Sequence, residues 1–146
     1  MENKMALNNQ LCFSIYNANR LFGRFYQQIL APYQLTYTQY LVLLALWEND
    51  QRTLHDLGRE LHLASNTLTS LLKRMETAGW LVRLRPEKDR RQLIVQLTEK
   101  GKTAQDQIER DLSQCVSENN LDPTKYQQLL ADNEKLIAAL RGIVDK

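Results

Sequence analysis

The hydrophobic period changes abruptly between Thr53 and Leu97, and few small architectures accommodate the change. Leu54, Leu57 and Leu61 recur at three- and four-residue spacing, one apolar face of a short helix. Thr53 stands just before them with Asp56 three residues on, a capping pattern that marks a helix start. Leu63-Ala64-Ser65-Asn66 breaks the period. A second helix follows, with Leu68, Leu71, Leu72 and Met75 inward and Gly79 as its stop. Then the period drops to two: Trp80 to Arg85 alternates apolar and basic, as a half-buried strand does. Pro86 to Arg91 is a polar tip, and Leu93 to Leu97 is the returning strand. Helix, turn, helix and basic hairpin make a winged helix-turn-helix, whose second helix has the dimensions of a major groove.

Charge is concentrated in the same stretch. Residues 65–91 hold seven Lys/Arg (Lys73, Arg74, Arg83, Arg85, Lys88, Arg90, Arg91) against three acids (Glu76, Glu87, Asp89), a net of +4. The whole chain carries only +2, so the remainder totals −2. A nearly neutral chain with one basic segment presents one phosphate-facing surface and is not a general polycation.

The chain's 146 residues imply one domain with a real core. No apolar run is long enough to span a bilayer, and MENKMALNNQ lacks the apolar centre of a secretory signal. Two Cys, 103 positions apart, are no disulfide framework. Together these features point to the cytoplasm, where thiols stay reduced. An enzyme is disfavoured. His55 and His62 lack ligand companions at metal spacing, and there is no Gly-rich phosphate loop, nucleophile elbow or Cys-x-x-Cys. No catalytic residue, metal or cofactor is expected.

Long amphipathic helices flank the centre. Residues 7–30 hold a stripe of Leu7, Leu11, Ile15, Ala18, Phe22, Phe25 and Ile29, ended by Pro32. Thr36 and Gln39 form a capping box for the next helix, Tyr37 to Trp47, which is apolar almost all round and belongs at the centre of the fold. After the wing, Thr98 caps a helix from Glu99 to about Val116, with a break at Ser117-Glu118-Asn119-Asn120. Asp122-Pro123 opens the last helix, striped by Tyr126, Leu129, Leu130, Leu136, Ile137 and Leu140. The end stripes exceed what the intervening residues can cover. The economical solution is a homodimer, with residues 1–34 and 99–146 as dimerisation helices around a DNA-binding region at 35–98, all in one domain 1–146. Two-fold symmetry would set two recognition helices on successive major grooves of a pseudo-palindromic operator.

The pattern resembles the multiple-antibiotic-resistance regulator (MarR) family. LCFSIYNANR (11–20) and LTYTQYLVLLALWE (35–48) are similar to its thiol-based peroxide-sensing branch, the organic hydroperoxide resistance regulators and their staphylococcal global-regulator relatives. LTSLLKRME (68–76) followed by Asp89-Arg90-Arg91 resembles that branch's recognition helix and wing. The resemblance implies a dimeric transcriptional repressor that releases its operator when Cys12 is oxidised by organic peroxide. It implies that Tyr26 and Tyr37 hold Cys12 by hydrogen bonds, with Tyr16 nearby. It places Ser65, Asn66, Thr67, Thr69, Ser70, Lys73 and Arg74 in or beside the major groove, and sends Arg91 into the minor groove steadied by Asp89. The sequence departs from the branch at Ala64, Asn66 and Ser70, where an acid, Gly and Pro are frequent, which bears on the operator read.

The residues themselves keep two readings of Cys12 open. One is a small apolar residue in a helix stripe; the other is a thiolate with solvent access. Tyr26 is fourteen residues on, roughly 21 Å along one helix, so it meets Cys12 only across an antiparallel dimer. Cys115 is the one other thiol in the chain, either packed on its own stripe or resolving an oxidised Cys12. The alternative function is a repressor of the same fold that answers to a small aromatic ligand, with Cys12 structural.

Overall fold

Thr36 opens the most deeply buried helix of the chain in a computed structural model that describes residues 5–118 and 122–146. Its hydroxyl accepts from the Gln39 backbone N–H at 3.2 Å, and Gln39 Oε1 accepts in return from the Thr36 N–H at 3.0 Å. The reciprocal box satisfies two orphan donors and fixes where the helix begins. The chain runs α1 (Leu11–Leu30), α2 (Tyr37–Glu48), β1 (Arg52–Thr53), α3 (Leu54–Leu61), α4 (Ser65–Thr77), β2 (Leu81–Leu84), β3 (Ile94–Leu97), α5 (Glu99–Glu118) and α6 (Pro123–Val144). Single 3-10 turns precede and follow α1, at Leu7–Asn9 and Ala31–Tyr33. The expected architecture is present: mainly helical, with the second helix-turn-helix element leading into a β-hairpin wing.

Two compact units divide the chain, Met1–Glu109 and Arg110–Lys146. In the first, Val42, Leu43 and Leu46 of α2 meet a core of Leu30, Leu57, Leu68, Leu72, Met75, Leu81, Val95 and Ile108, each 0–1% exposed. No polar side chain is buried among the described residues. Apolar burial therefore dominates the core, worth about 1.5–3 kcal/mol for each large side chain. The early part of α5 belongs to this core through Gly101 and Ile108. The second unit contains the remainder of α5 and all of α6, which buries none of its own residues.

Several boundaries differ from the sequence expectation, each for a local reason. Residues 7–30 are not one helix: Gln10 is extended, at φ −92° and ψ 115°, and separates the first 3-10 turn from α1. The break expected at Leu63–Asn66 is shorter. His62 turns left-handed at φ 57° to end α3, Ala64 is the N-cap of α4, and Ser65 and Asn66 are already helical. At α3 only the forward half of the capping pattern forms, Thr53 Oγ1 accepting from the Asp56 N–H at 3.1 Å. α5 runs through Ser117 and Glu118, where a break was expected; Asn119 and Asn120 of that break lie outside the described residues. Asp122 caps α6 as expected, accepting from the Thr124 N–H at 2.9 Å.

The sheet has three strands, ordered β1-β3-β2 and all antiparallel, where the sequence suggested two. β1 pairs Arg52 with Val95 and Thr53 with Ile94, so it clamps the inner strand of the wing to the start of α3. The other side of the wing is tied to α4. Glu76 accepts from the Arg83 backbone N–H at 2.8 Å and from its guanidinium at 3.2 and 3.3 Å. At the C-terminus of α4, Gly79 adopts φ 89°, and the Trp80 N–H bonds back to the Met75 carbonyl, a glycine stop of the kind the sequence suggested. The wing then meets α5 at a tight junction. A Cβ on Gly101 would lie 2.3 Å from the Trp80 carbonyl oxygen. Only glycine lets the two backbones approach so closely.

Two outcomes follow from these ties. Gly101→Ala must push α5 away from the wing and should cost at least about 2 kcal/mol in a urea titration, in the range of an overpacked core. Glu76 is held below the usual carboxylate range, chiefly by the Arg83 backbone N–H and further by the Arg83 side chain, against an opposing push from burial. Its contribution is thus full above the ordinary value of 4.5 and is lost as pH falls through the depressed one. The gap in urea midpoint between wild type and Glu76→Gln should therefore be widest near neutrality and close in acid. A gap that is constant with pH would remove the ionised pair from the account.

Candidate nucleic-acid interface and thiol site

The buried face of α4 leaves an opposite face free. Leu68, Leu72 and Met75 point into the core, while Ser65, Asn66, Thr67, Thr69, Ser70, Lys73 and Arg74 are exposed. Asn66, Ser70, Lys73 and Thr77 follow the helical repeat along the outer face. Local bonds orient the short side chains. Asn66 Oδ1 accepts from the Thr67 N–H at 2.9 Å, and Thr69 Oγ1 donates to the Ser65 carbonyl at 2.7 Å. Asn66 therefore keeps its amide donors outward, and Thr69 keeps hydroxyl lone pairs, suited to base edges or phosphate-bound water.

The wing sorts its arginines by what they touch. Arg83 stands apart from the outward set, since its side chain is 22% exposed and grips Glu76. Arg85 Nη1 donates to the Arg90 carbonyl at 2.8 Å, bracing the tip across the hairpin. Asp89 Oδ1 accepts from the Arg91 backbone N–H at 3.1 Å and lies 3.4 Å from its Nε. The Arg91 side chain is nonetheless 96% exposed. Lys88 and Arg90 are also exposed. Between wing, α3 and α4 lies an open groove of about 840 Å³, lined among others by His55, Asp56, Thr69, Glu76, Arg83, Arg85 and Arg91. His55 is thus a groove residue, a placement that helical spacing alone did not suggest.

The thiol candidates are distributed differently. Cys12 lies exposed in the first turn of α1. Tyr16, one turn on, is exposed and stacks with Phe13 at 6.4 Å between ring centroids. Tyr26 and Tyr37 come together at the junction of α1 and α2, with centroids 4.7 Å apart. Cys12 and Tyr26 do not meet within the chain, because α1 is unbroken from Leu11 to Leu30; they stand roughly 21 Å apart along its axis. Cys115 is partly buried on α5 and belongs to the Arg110–Lys146 unit. The structure adds two residues that the sequence reading left in the core. Tyr40 packs on Tyr26 at 5.6 Å, and Trp47 packs edge-on against Tyr40 at 6.2 Å. Their spacing along α2 was visible, but an all-apolar helix gives no sign of which ring faces which neighbour. Among the described residues no group of His, Cys, Asp or Glu is arranged to hold a metal ion, and no helix is long and apolar enough to cross a membrane.

Comparison with known proteins agrees with this geometry. The family model for the transcriptional regulator SarA/Rot matches residues 24–108. The organic hydroperoxide resistance transcriptional regulator of Bacillus subtilis is 46% identical over 104 residues, 69% of this chain and 71% of that protein. The HTH-type transcriptional regulator TtmR of Methylorubrum extorquens is 46% identical over 101 residues; the match takes in 69% of this chain but only 52% of TtmR, about half its length. Among solved structures, reduced AbfR bound to DNA superposes with a TM-score of 0.86 at 44% identity, covering 97% of this chain and 96% of that one. AbfR, from Staphylococcus epidermidis, is also known overoxidised on DNA and in a disulfide form, the latter with a TM-score of 0.71. The chain belongs to the SarA/Rot family and is a MarR-type, winged-helix transcriptional regulator, not an enzyme.

Proposed function

We propose that this regulator binds a pseudo-palindromic operator as a homodimer, acts as a repressor, and releases DNA when Cys12 is oxidised by an organic hydroperoxide. The observation that carries the proposal is the placement of Tyr26 against Tyr37 toward the far end of the helix whose first turn holds Cys12. In an antiparallel pairing of two α1 helices, the tyrosine pair of one chain faces the exposed thiol of the other. Phenolic hydroxyls there donate hydrogen bonds to the thiolate and favour its charged form. The relatives supply a second support: one is named for organic hydroperoxide resistance, and another is known reduced on DNA and in a disulfide form, although its overoxidised form is also found on DNA.

The chemistry balances without a cofactor. The Cys12 thiolate attacks the distal peroxide oxygen; the S–O bond forms, the O–O bond breaks, and the alkoxide leaves and takes a proton as alcohol. Sulfur is oxidised to a sulfenic acid while the peroxide is reduced. Condensation with a second thiol then forms a disulfide and water. Cys115 or a small thiol is the partner in that step. A sulfenic acid no longer accepts the tyrosine bonds as a thiolate does, so the dimer loses the contacts that hold its two recognition helices at groove spacing.

On the DNA side, Ser65, Asn66, Thr67, Thr69 and Ser70 approach base edges and phosphates. Lys73, Arg74, Lys88 and Arg90 neutralise phosphates. Arg91 enters the minor groove from the tip, with Asp89 fixing its stem. Arg85 and Arg83 shape the wing behind it through Arg90 and Glu76.

Arg91→Ala should weaken operator binding broadly across sequences, lowering the salt slope by about 1 per subunit contact. An unchanged affinity and slope would take Arg91 out of the interface. Fluorescence anisotropy with DNA from upstream of the regulator's own gene tests the sensor. Cumene hydroperoxide should release wild type and Cys115→Ser at the first step, with thiol restoring binding, while Cys12→Ser stays bound. If all three bind and none responds, Cys12 is a helix residue only, and an aromatic ligand becomes the effector to seek.

A further inference from the structure

A single line of contacts runs from the tyrosine pair to the end of the recognition helix. Tyr37 and Tyr26 pack at 4.7 Å, Tyr26 and Tyr40 at 5.6 Å, and Tyr40 and Trp47 at 6.2 Å. Tyr37 is exposed, Tyr26 and Trp47 are half-buried and Tyr40 is 5% exposed, so the line starts at the surface and dips into the core at Tyr40. At its inner end the Trp47 indole Nε1–H donates to the Gly101 carbonyl at 2.8 Å. Gly101 is the residue pressed against Trp80, and its own N–H donates to Thr98 Oγ1 at 3.2 Å. Thr98 Oγ1 in turn lies 2.6 Å from the Gly79 carbonyl and 3.1 Å from that of Trp80, the residues that follow α4. Lys100 completes the junction, donating to the Ala78 carbonyl at 2.8 Å and lying over the Trp80 ring.

We propose that Trp47 is a positioning residue that couples the tyrosine pair to the recognition helix. The inference rests on the thiol-sensing reading above. Trp47 suits the role because its two ends are unlike. Its ring meets another ring, a contact that tolerates sliding. Its N–H makes one directional bond, which links an α2 side chain to the α5 backbone. Displacement of Tyr26 and Tyr37 on oxidation shifts Tyr40 and tilts the indole. The Gly101 carbonyl must follow or lose its donor. Gly101 has no slack against Trp80, so the movement passes to Gly79 and Trp80 at the root of α4. The packed contacts carry displacement because a close-packed core is bistable and does not deform smoothly.

Trp47→Phe keeps a ring against Tyr40 and removes the N–H. Its operator affinity would be measured reduced and after cumene hydroperoxide, with sulfenic acid at Cys12 quantified by dimedone trapping and mass spectrometry. The expected result is unchanged oxidation and a reduced-to-oxidised affinity ratio smaller by about fivefold, the equivalent of one hydrogen bond. A purely structural Trp47 would weaken both forms alike and leave the ratio intact, which overturns the proposal. Wild type provides a readout that needs no variant: the chain has two tryptophans, Trp47 and Trp80, hence two indole N–H resonances. Oxidation should move the Trp47 resonance. A Trp47 resonance unmoved while DNA is released overturns the coupling and leaves the thiol reading standing. A wild type that does not respond to peroxide overturns both.

Discussion

The burial of α2 is the constraint on which the Met1–Glu109 unit depends. Val42 and Leu43 are fully excluded from water, and Leu46 nearly so. The helix packs against α1, α3, α4 and β3 at once. With no buried polar side chain among the described residues to dictate a partner, shape and apolar area set the arrangement. The capping box at Thr36 and Gln39 matters for this reason: it fixes the first turn, and so decides which residues of a uniformly apolar helix face which neighbour. The α3–α4 pair inherits its orientation from that choice, and the wing inherits its own from α4 through Glu76 and Arg83.

The wing shows how equal formal charges acquire unequal roles. Arg83, Arg85 and Arg91 each make an internal hydrogen bond, but to different ends. Arg83 meets a carboxylate at the root, Arg85 a carbonyl across the hairpin, and Arg91 a carboxylate two residues away at the tip. Arg91 leaves its side chain almost wholly in solvent, whereas that of Arg83 is 22% exposed. A cation so exposed gains little from its own ion pair. The Asp89 contact orients Arg91 more than it stabilises the fold, which is the property a minor-groove probe requires.

Much of this was legible in the sequence wherever the information was local. The periods of α3, α4 and the hairpin, the box at Thr36, the stop at Gly79 and the Asp122–Pro123 start all depend on residues within one or two turns. What could not be read depends on distance. β1 is two residues long and carries no period; it exists only because β3 has a free edge beside Arg52. Charge counting put Arg83 with the outward cations, since a tally of signs cannot see Glu76 seven residues earlier folding beneath it. Trp47 and Gly101 are fifty-four positions apart, and neither announces the other. The meeting of Tyr26 with Tyr37 was within reach of the sequence, because Pro32 turns the chain between them; the extension to Tyr40 and Trp47 was not.

α1 poses the remaining physical problem, and its answer connects dimer to sensor. Of its twenty residues only Leu30 is buried, while Leu11, Phe13, Ile15, Leu21 and Phe22 stand open to water. At about 25 cal/mol per Å² of apolar surface, a stripe of that extent is costly to leave exposed and rewards a second copy that covers it. Cys12 and Tyr16 lie on the same helix beside that stripe, and Tyr26 lies toward its other end. In the proposed dimer the thiol is therefore seated within the surface that holds the two chains together. A polar oxygen added to Cys12 then alters that surface directly, with no separate transmitter between oxidation and subunit geometry. In the same proposal the α2 core, which has no buried polar side chain among the described residues, passes the altered seating on to α4.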